Sequence, residues 1–350
     1  MHQTPREIVI RALKFERPAR VPRDLWLLPW ATHHHPETLA EIHRRFPVDI
    51  RTTIDVYAPS PRKRGDPHAV GQYTDEWGCV FTNIHGGIIG EVREPLVREI
   101  EDWRCVRPPY EILPTDRANA REHVRRDSDA SERFIMAPAV IRPWERYQFL
   151  RGSENALMDL AIGDDDARAL LGVIHEYFVR ELEFWASTTV DAIFIADDWG
   201  SQQGLLIQPA LWRAWFKPLY RDYCAIARSH GKFVFMHSDG HIEAIIPDLI
   251  EIGVQALNAQ LFCMDMAALA AAAKGKITFW GEIDRQHILC SADPNVTREA
   301  VRTVARHFYD PAGGIIAQFA FELGCTPEAA LAVFDEWERL EQHLNAPSPP

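Results

Sequence analysis

The chain has 350 residues, 47% of them hydrophobic and 25% charged, with a formal net charge of −12. That balance belongs to an ordinary globular protein and excludes wholesale disorder and collagen-like repeats. An acidic chain lacks the electrostatic footprint of a nucleic-acid binder, so no nucleic-acid partner is expected, and a polyanionic substrate would need a basic patch working against the overall field.

The chain opens with Thr4-Pro5-Arg6-Glu7, a capping-box-like start, followed by Ile8, Val9, Ala12 and Leu13 at helical spacing. This segment has no long apolar core or small-residue cleavage site and does not read as a signal peptide. Val21–Leu28 and Val48–Val56 then read as strands. From Ala58 to about Arg121 the pattern is irregular, with short strand candidates at Val80–Asn83 and Gly87–Val92. Its low apolar content fits a hairpin-bearing insertion on the second unit better than a separate domain. Arg133–Val140 is the third long strand pattern.

The second half alternates regularly. Asp191–Ala196 is a buried-strand pattern, and a helix runs from Gln208-Pro209 to about Ser229 with Leu211, Trp215, Leu219, Tyr223 and Ala227 on one face. Lys232–Met236 is the next strand, followed by a helix through Ile242 to Ile250 that Gly253 terminates. Gln255–Gln260 is a weaker strand and Met264–Ala273 a short helix. Lys276–Trp280 is a strand, and Asp293-Pro294 opens another helix. Gly314–Phe321 is the last strand, and Thr326-Pro327-Glu328 caps a final helix that reaches Leu344. Asn345–Pro350 reads as a disordered tail.

Eight strands alternating with helices, and no GxGxxG turn after any of them, favour a (β/α)8 TIM barrel with an insertion after strand 2 over an open doubly wound sheet. One barrel thus spans residues 1–344, and no nucleotide cofactor is expected. No apolar run reaches membrane-spanning length; the best, Met264 to Ala273, is short and carries Asp265. Six scattered cysteines without a CxxC pair point to reduced thiols and a cytoplasmic location.

Chemistry in such a barrel belongs at the C-terminal strand ends. Those ends carry Asp197, Asp198, Trp199 and Gln202; His237, Asp239, Gly240 and His241; Asn258 and Gln260; Glu282, Asp284, Arg285 and Gln286; and Gln318. Burying such groups costs desolvation unless they are paired, so their concentration on one rim marks an active site. Each also has a plainer role. Asp197 or Asp198 alone could cap a loop. A lone strand-end histidine is commonly a hydrogen-bonded core residue, although Asp239 two residues after His237 could fix its tautomer or share a metal. Gly240 fits a tight turn, and His33-His34-His35 a solvated loop, because three adjacent residues cannot all face one ion.

Three long segments, DDWGSQQGLLIQPALWRAWFKPLY, KFVFMHSDGHIEAIIPDLIEIGVQALN and FWGEIDRQHIL, closely resemble the uroporphyrinogen decarboxylase superfamily, which includes corrinoid-linked methyltransferases. The segments TPREIVIRALKFERPARVP, YTDEWGCVF and ERYQFLRGSENALMDLA extend the resemblance over nearly the whole chain. It implies the same barrel. Uroporphyrinogen decarboxylases carry an RQAGR-type segment after the first strand, whereas this chain has Asp24-Leu25-Trp26-Leu27-Leu28-Pro29-Trp30 there. That leaves Arg23, Arg142, Arg146 and Arg151 as weaker anchors for a polycarboxylate.

The corrinoid-linked members bind zinc through a His-x-Cys pair and a distant Cys. His237 matches the histidine, Asp239 stands in place of the first cysteine, and Cys325 lies near the place of the second. Replacing sulfur with oxygen makes the centre harder and a better Lewis acid. The resemblance therefore implies an enzyme in which His237 and Asp239, with Glu282 or Cys325, bind zinc or act as an acid–base pair. Asp197 or Asp198 would orient substrate or act as base. Trp30, Arg142, Trp199, Gln260, Glu282 and Gln318 would line the pocket, with Trp280 as a further apolar wall. The expected reaction is methyl transfer from a small-molecule substrate to a corrinoid protein. Decarboxylation of a porphyrinogen or smaller carboxylate is the alternative, and a non-catalytic ligand-binding barrel a second one. A homodimer is a family-level expectation.

Overall fold

The structure is a computed structural model that describes residues 3–344, with side chains to residue 342. The expected tail at Asn345–Pro350 and the Leu344 side chain lie outside the described residues and side chains. In chain order the strands are β1 (Arg23–Leu27), β2 (Ile50–Thr52), β3 (Gly71–Thr74), β4 (Val80–Asn83), β5 (Glu91–Val92), β6 (Phe134–Ile141), β7 (Ala192–Ala196), β8 (Phe233–Ser238), β9 (Ala256–Ala259), β10 (Thr278–Trp280) and β11 (Ile315–Phe321). Eight of them form one parallel sheet in the order β1-β11-β10-β9-β8-β7-β6-β2, which makes the (β/α)8 barrel.

The seam between β1 and β2 is joined by one residue. Asp49 donates its backbone N–H to Arg23 O at 2.8 Å, and its fully buried carboxylate accepts from Arg23 N at 2.7 Å and from the Arg20 guanidinium at 2.6 and 2.7 Å. Below, the capping box at Thr4 and Glu7 starts helix Pro5–Lys14, whose Val9 and Leu13 pack with Phe134, Met136, Phe235 and Trp280 inside the barrel. These side chains fill the base of the barrel interior.

Several elements differ from the sequence expectation for identifiable reasons. The helix expected over 208–229 is two, Pro209–Trp215 and Lys217–Ser229, broken at Phe216 where Pro218 enters the next first turn. The three histidines do not lie in a loop: His33 and His34 end helix Pro29–His34, and His35 is the single residue that joins it to helix Pro36–Arg45. The insertion holds a three-stranded antiparallel sheet, β3-β4-β5, with one more strand than its polar sequence signalled. Tyr73, Trp77, Phe81 and Val97 from it belong to the same apolar cluster as the helices outside the barrel. No helix among the described residues is long and apolar enough to cross a membrane.

Candidate active site

His237 is the penultimate residue of β8, in register with Ala196 of β7 and Asn258 of β9. The chain leaving β7 and the chain leaving β8 are zipped together. Trp199 N donates to Ser238 Oγ at 3.0 Å, Gly200 N to Asp239 O at 3.0 Å, and His241 N to Ser201 O at 2.7 Å. Gly200 and Gly240 permit this approach: a Cβ on Gly240, which has φ +78°, would lie 2.2 Å from Gly200 backbone atoms. The result is that Asp198 and Asp239 stand side by side over His237, with Asp239 N donating to Asp198 Oδ1 at 2.9 Å.

The imidazole is fixed from behind. Asn258 is fully buried and uses its amide N–H groups on Trp280 O and on Gln318 Oε1, the latter at 2.8 Å. Its Oδ1 is therefore the atom 2.6 Å from His237 Nδ1, and Nδ1 carries the proton. That leaves the Nε2 lone pair facing the mouth, 3.5 Å from Asp198 Oδ1 and 3.5 Å from Asp239 Oδ1. Trp26 packs edge-on against the ring from below, centroid to centroid 5.1 Å.

These three residues can hold a metal ion. Their donor atoms all lie within 4.8 Å of one another. Tetrahedral ligands at zinc–N/O distances of ~2.1 Å stand about 3.4 Å apart, close to the separations from Nε2. Asp239 Oδ1 is buried without a hydrogen-bond partner, as a ligand atom awaiting a cation would be. The donor set of one imidazole and two carboxylates suits a borderline or hard divalent ion, and the His237–Asn258 contact is the outer support that metal-bound histidines use.

Around the cluster, the Arg285 guanidinium binds Asp239 Oδ2 and lies 3.6 Å from Glu282 and 3.3 Å from Glu322. Burial pushes the Glu282 carboxyl up to about 7, with Asp239 adding to the rise and Arg285 opposing it. Glu145 is likewise raised by burial, opposed first by Arg142, its partner at 3.3 Å.

The remaining sequence-nominated residues divide clearly. Asp197 is fully buried and accepts from Trp144 N at 3.0 Å, Glu145 N at 2.8 Å and the Tyr220 hydroxyl at 2.6 Å. It docks helix Pro143–Arg151 onto β7, which leaves Asp198 as the carboxylate of this pair at the mouth. Trp199 is fully buried, stacked on Trp144 and hydrogen-bonded to Tyr220, so it forms core and not pocket wall. Trp280 sits inside the barrel and donates to Asp24. Gln260 Oε1 holds the β8 loop through Gly240 N, and Gln318 braces Asn258.

Trp30 stacks on His34 at 4.7 Å, and Arg142 lines a cleft of about 540 Å³ between the insertion and the end of β6. Glu282 and Cys325 stand outside the three-residue cluster. The Cys325 thiol is buried, faces Ala320 O and is pushed up to about 12 by burial, so it is not poised as a thiolate.

Asn258, Glu145 and Glu322 are the residues that a list of strand ends undervalues. Asn258 is among the strand ends read from the sequence, and the parallel register, which places it level with His237, gives it its role.

The fold and the mouth cluster define a (β/α)8 barrel protein with a histidine–carboxylate centre at its C-terminal rim. The chain belongs to the uroporphyrinogen decarboxylase (URO-D) family, whose model matches residues 76–337. No curated protein matches it in sequence. Among solved structures it is similar to a methyltransferase from Methanosarcina mazei, with 13% identity over 97% of this chain and 99% of that one and a TM-score of 0.65. A dihydropteroate synthase from Anaplasma phagocytophilum matches 53% of this chain and 72% of its own, at 19% identity and a TM-score of 0.37. At 13% identity the likeness to the methyltransferase is one of fold.

Proposed function

We propose that the chain is a metal-assisted methyltransferase that moves a one-carbon group from a small-molecule substrate to a corrinoid acceptor protein. The observation that carries this reading is the cluster of His237 Nε2, Asp198 Oδ1 and the orphaned Asp239 Oδ1 at the barrel mouth. Family membership and the methyltransferase of the same fold support it. In methyl transfer the carbon leaves as a cation equivalent, the bonding pair stays on the substrate heteroatom, and the acceptor supplies the pair for the new bond. Negative charge therefore builds on the heteroatom, and the site must absorb it.

Asp198, His237 and Asp239 would hold zinc or a similar divalent ion, which supplies Lewis-acid stabilisation of that heteroatom. Asn258 keeps the His237 lone pair aimed at the mouth. Arg285 limits the charge that Asp239, Glu282 and Glu322 place together. Glu282, whose carboxyl burial raises to about 7, can give its proton to the departing heteroatom.

Decarboxylation of a porphyrinogen or smaller carboxylate has less behind it. The Arg285 guanidinium bound to Asp239 already serves two further carboxylates, which leaves little for a polycarboxylate substrate.

Metal analysis of untagged protein tests the reading. About one equivalent of zinc per chain is expected, falling to background in Asp239→Asn. A metal-free wild type that takes up no zinc, cobalt or manganese on titration would sink it.

A further inference from the structure

Glu181 is a buried carboxyl that this mechanism does not use. Glu181, on helix Asp165–Ala186, is 6% exposed and lies in the wall of the cleft between the insertion and β6. Tyr57 donates to its Oε1 at 2.7 Å and Tyr177 at 3.3 Å, while Trp185 Nε1 donates to the Tyr57 hydroxyl at 2.7 Å. Glu181 Oε2 has no hydrogen-bond or ion-pair partner among the described residues. Oε2 is not one of the buried unpartnered atoms, so it opens onto the cleft that Glu181 lines, and a carboxyl held in a largely buried wall with one oxygen facing a cleft can serve a ligand there.

The surroundings say which chemistry would answer it. Trp77 packs edge-to-face on Tyr177 at 5.0 Å, and Tyr57 on Trp185 at 5.8 Å; Phe178 completes an aromatic wall. Arg146 is already committed, bound to Asp75, 3.7 Å from Glu76 and over the Trp77 ring at 5.0 Å. Arg142 is paired with Glu145. Asp55, Asp75 and Glu76 also line the cleft, against Lys63. Ring faces attract cations, and a buried carboxylate supplies the counter-charge.

We propose that this cleft is a binding subsite for a small organic ammonium, its nitrogen against Glu181 and its carbon body against Tyr57, Trp77, Tyr177 and Phe178. The insertion that supplies Trp77 would then be a specificity device. The inference goes beyond the proposed function: the cleft shares no residue with the histidine–carboxylate cluster, and the binding claim stands apart from the reaction.

Burial pushes the Glu181 carboxyl up to about 7, opposed by the hydrogen bonds from Tyr57 and Tyr177 and by Arg146, and reinforced by Glu76. A cation needs the ionised form, so its affinity should fall about tenfold between pH 8 and pH 6.

Calorimetric titration of the full-length protein with benzylammonium, benzyl alcohol and benzoate tests this. Benzylammonium should bind at least about tenfold more tightly than the other two at pH 8 and weaken about tenfold at pH 6. Glu181→Gln, which keeps an acceptor for both tyrosines, should lose that advantage and the pH dependence while retaining the wild-type melting curve and metal content. The proposal fails if benzylammonium does not bind, or binds no better than benzyl alcohol or benzoate, or binds Glu181→Gln unchanged. The wild-type comparison decides by itself if the variant does not fold. Metal content is read separately, so this failure is distinguishable from failure of the methyl-transfer reading.

Discussion

If the proposed site is right, His237→Ala lowers zinc affinity by about 100-fold or more and reduces the proposed methyl transfer to background. The imidazole supplies the only nitrogen donor of the cluster, and the two carboxylates left behind would share a site with no cation between them. Asn258→Ala should follow in the same direction with a smaller loss of about 10- to 100-fold, because the histidine remains but its tautomer and ring plane are no longer fixed. Competition with a fluorescent zinc chelator measures both. If His237 acts as an acid–base group alone, His237→Ala will keep its zinc and show only an altered pH–rate profile. Unchanged zinc affinity in both variants would contradict the site as built here.

Glu282→Gln should have the second large effect, on pH dependence more than on binding. Glu282 is 3% exposed, and its folded-state carboxyl is raised from the ordinary 4.5 to about 7. As proton donor it is competent below that value, so wild-type turnover with free cob(I)alamin as acceptor should be flat below about pH 7. Above it, turnover should fall about tenfold per pH unit. Glutamine cannot donate that proton. The variant should lose about 10²- to 10⁴-fold below pH 7 and show no ionisation near 7. Wild-type and variant rates should converge at high pH, where the wild-type group is ionised. A variant that keeps the wild-type pH limb would show that another group, with Glu145 the obvious one, provides the proton.

Strong periodicity made the barrel readable from sequence. β-branched and aromatic runs such as KFVFM and GIIAQFAF mark β8 and β11 because buried parallel strands are apolar on both faces. The insertion was less legible: β4 and β5 fall within the expected strand candidates, but β3 is short and partly exposed and carries little hydrophobic signal.

The rim residues followed from the barrel, and their roles followed only from geometry. Asp197 and Asp198 are adjacent and chemically identical. One is buried under the start of helix Pro143–Arg151 and the other stands at the mouth, because successive side chains leaving a strand point to opposite sides. Cys325 was nominated through the family resemblance, and the structure leaves it facing a backbone carbonyl. Glu181 and Tyr57 lie 124 positions apart, and no local pattern connects them.

X-ray absorption at the zinc edge of the loaded protein tests the central claim most directly. The account predicts a first shell of nitrogen and oxygen at about 2.0–2.2 Å with the outer scattering of one imidazole, contributed by His237, Asp198 and Asp239. A sulfur scatterer at about 2.3 Å that disappears in Cys325→Ser would contradict it.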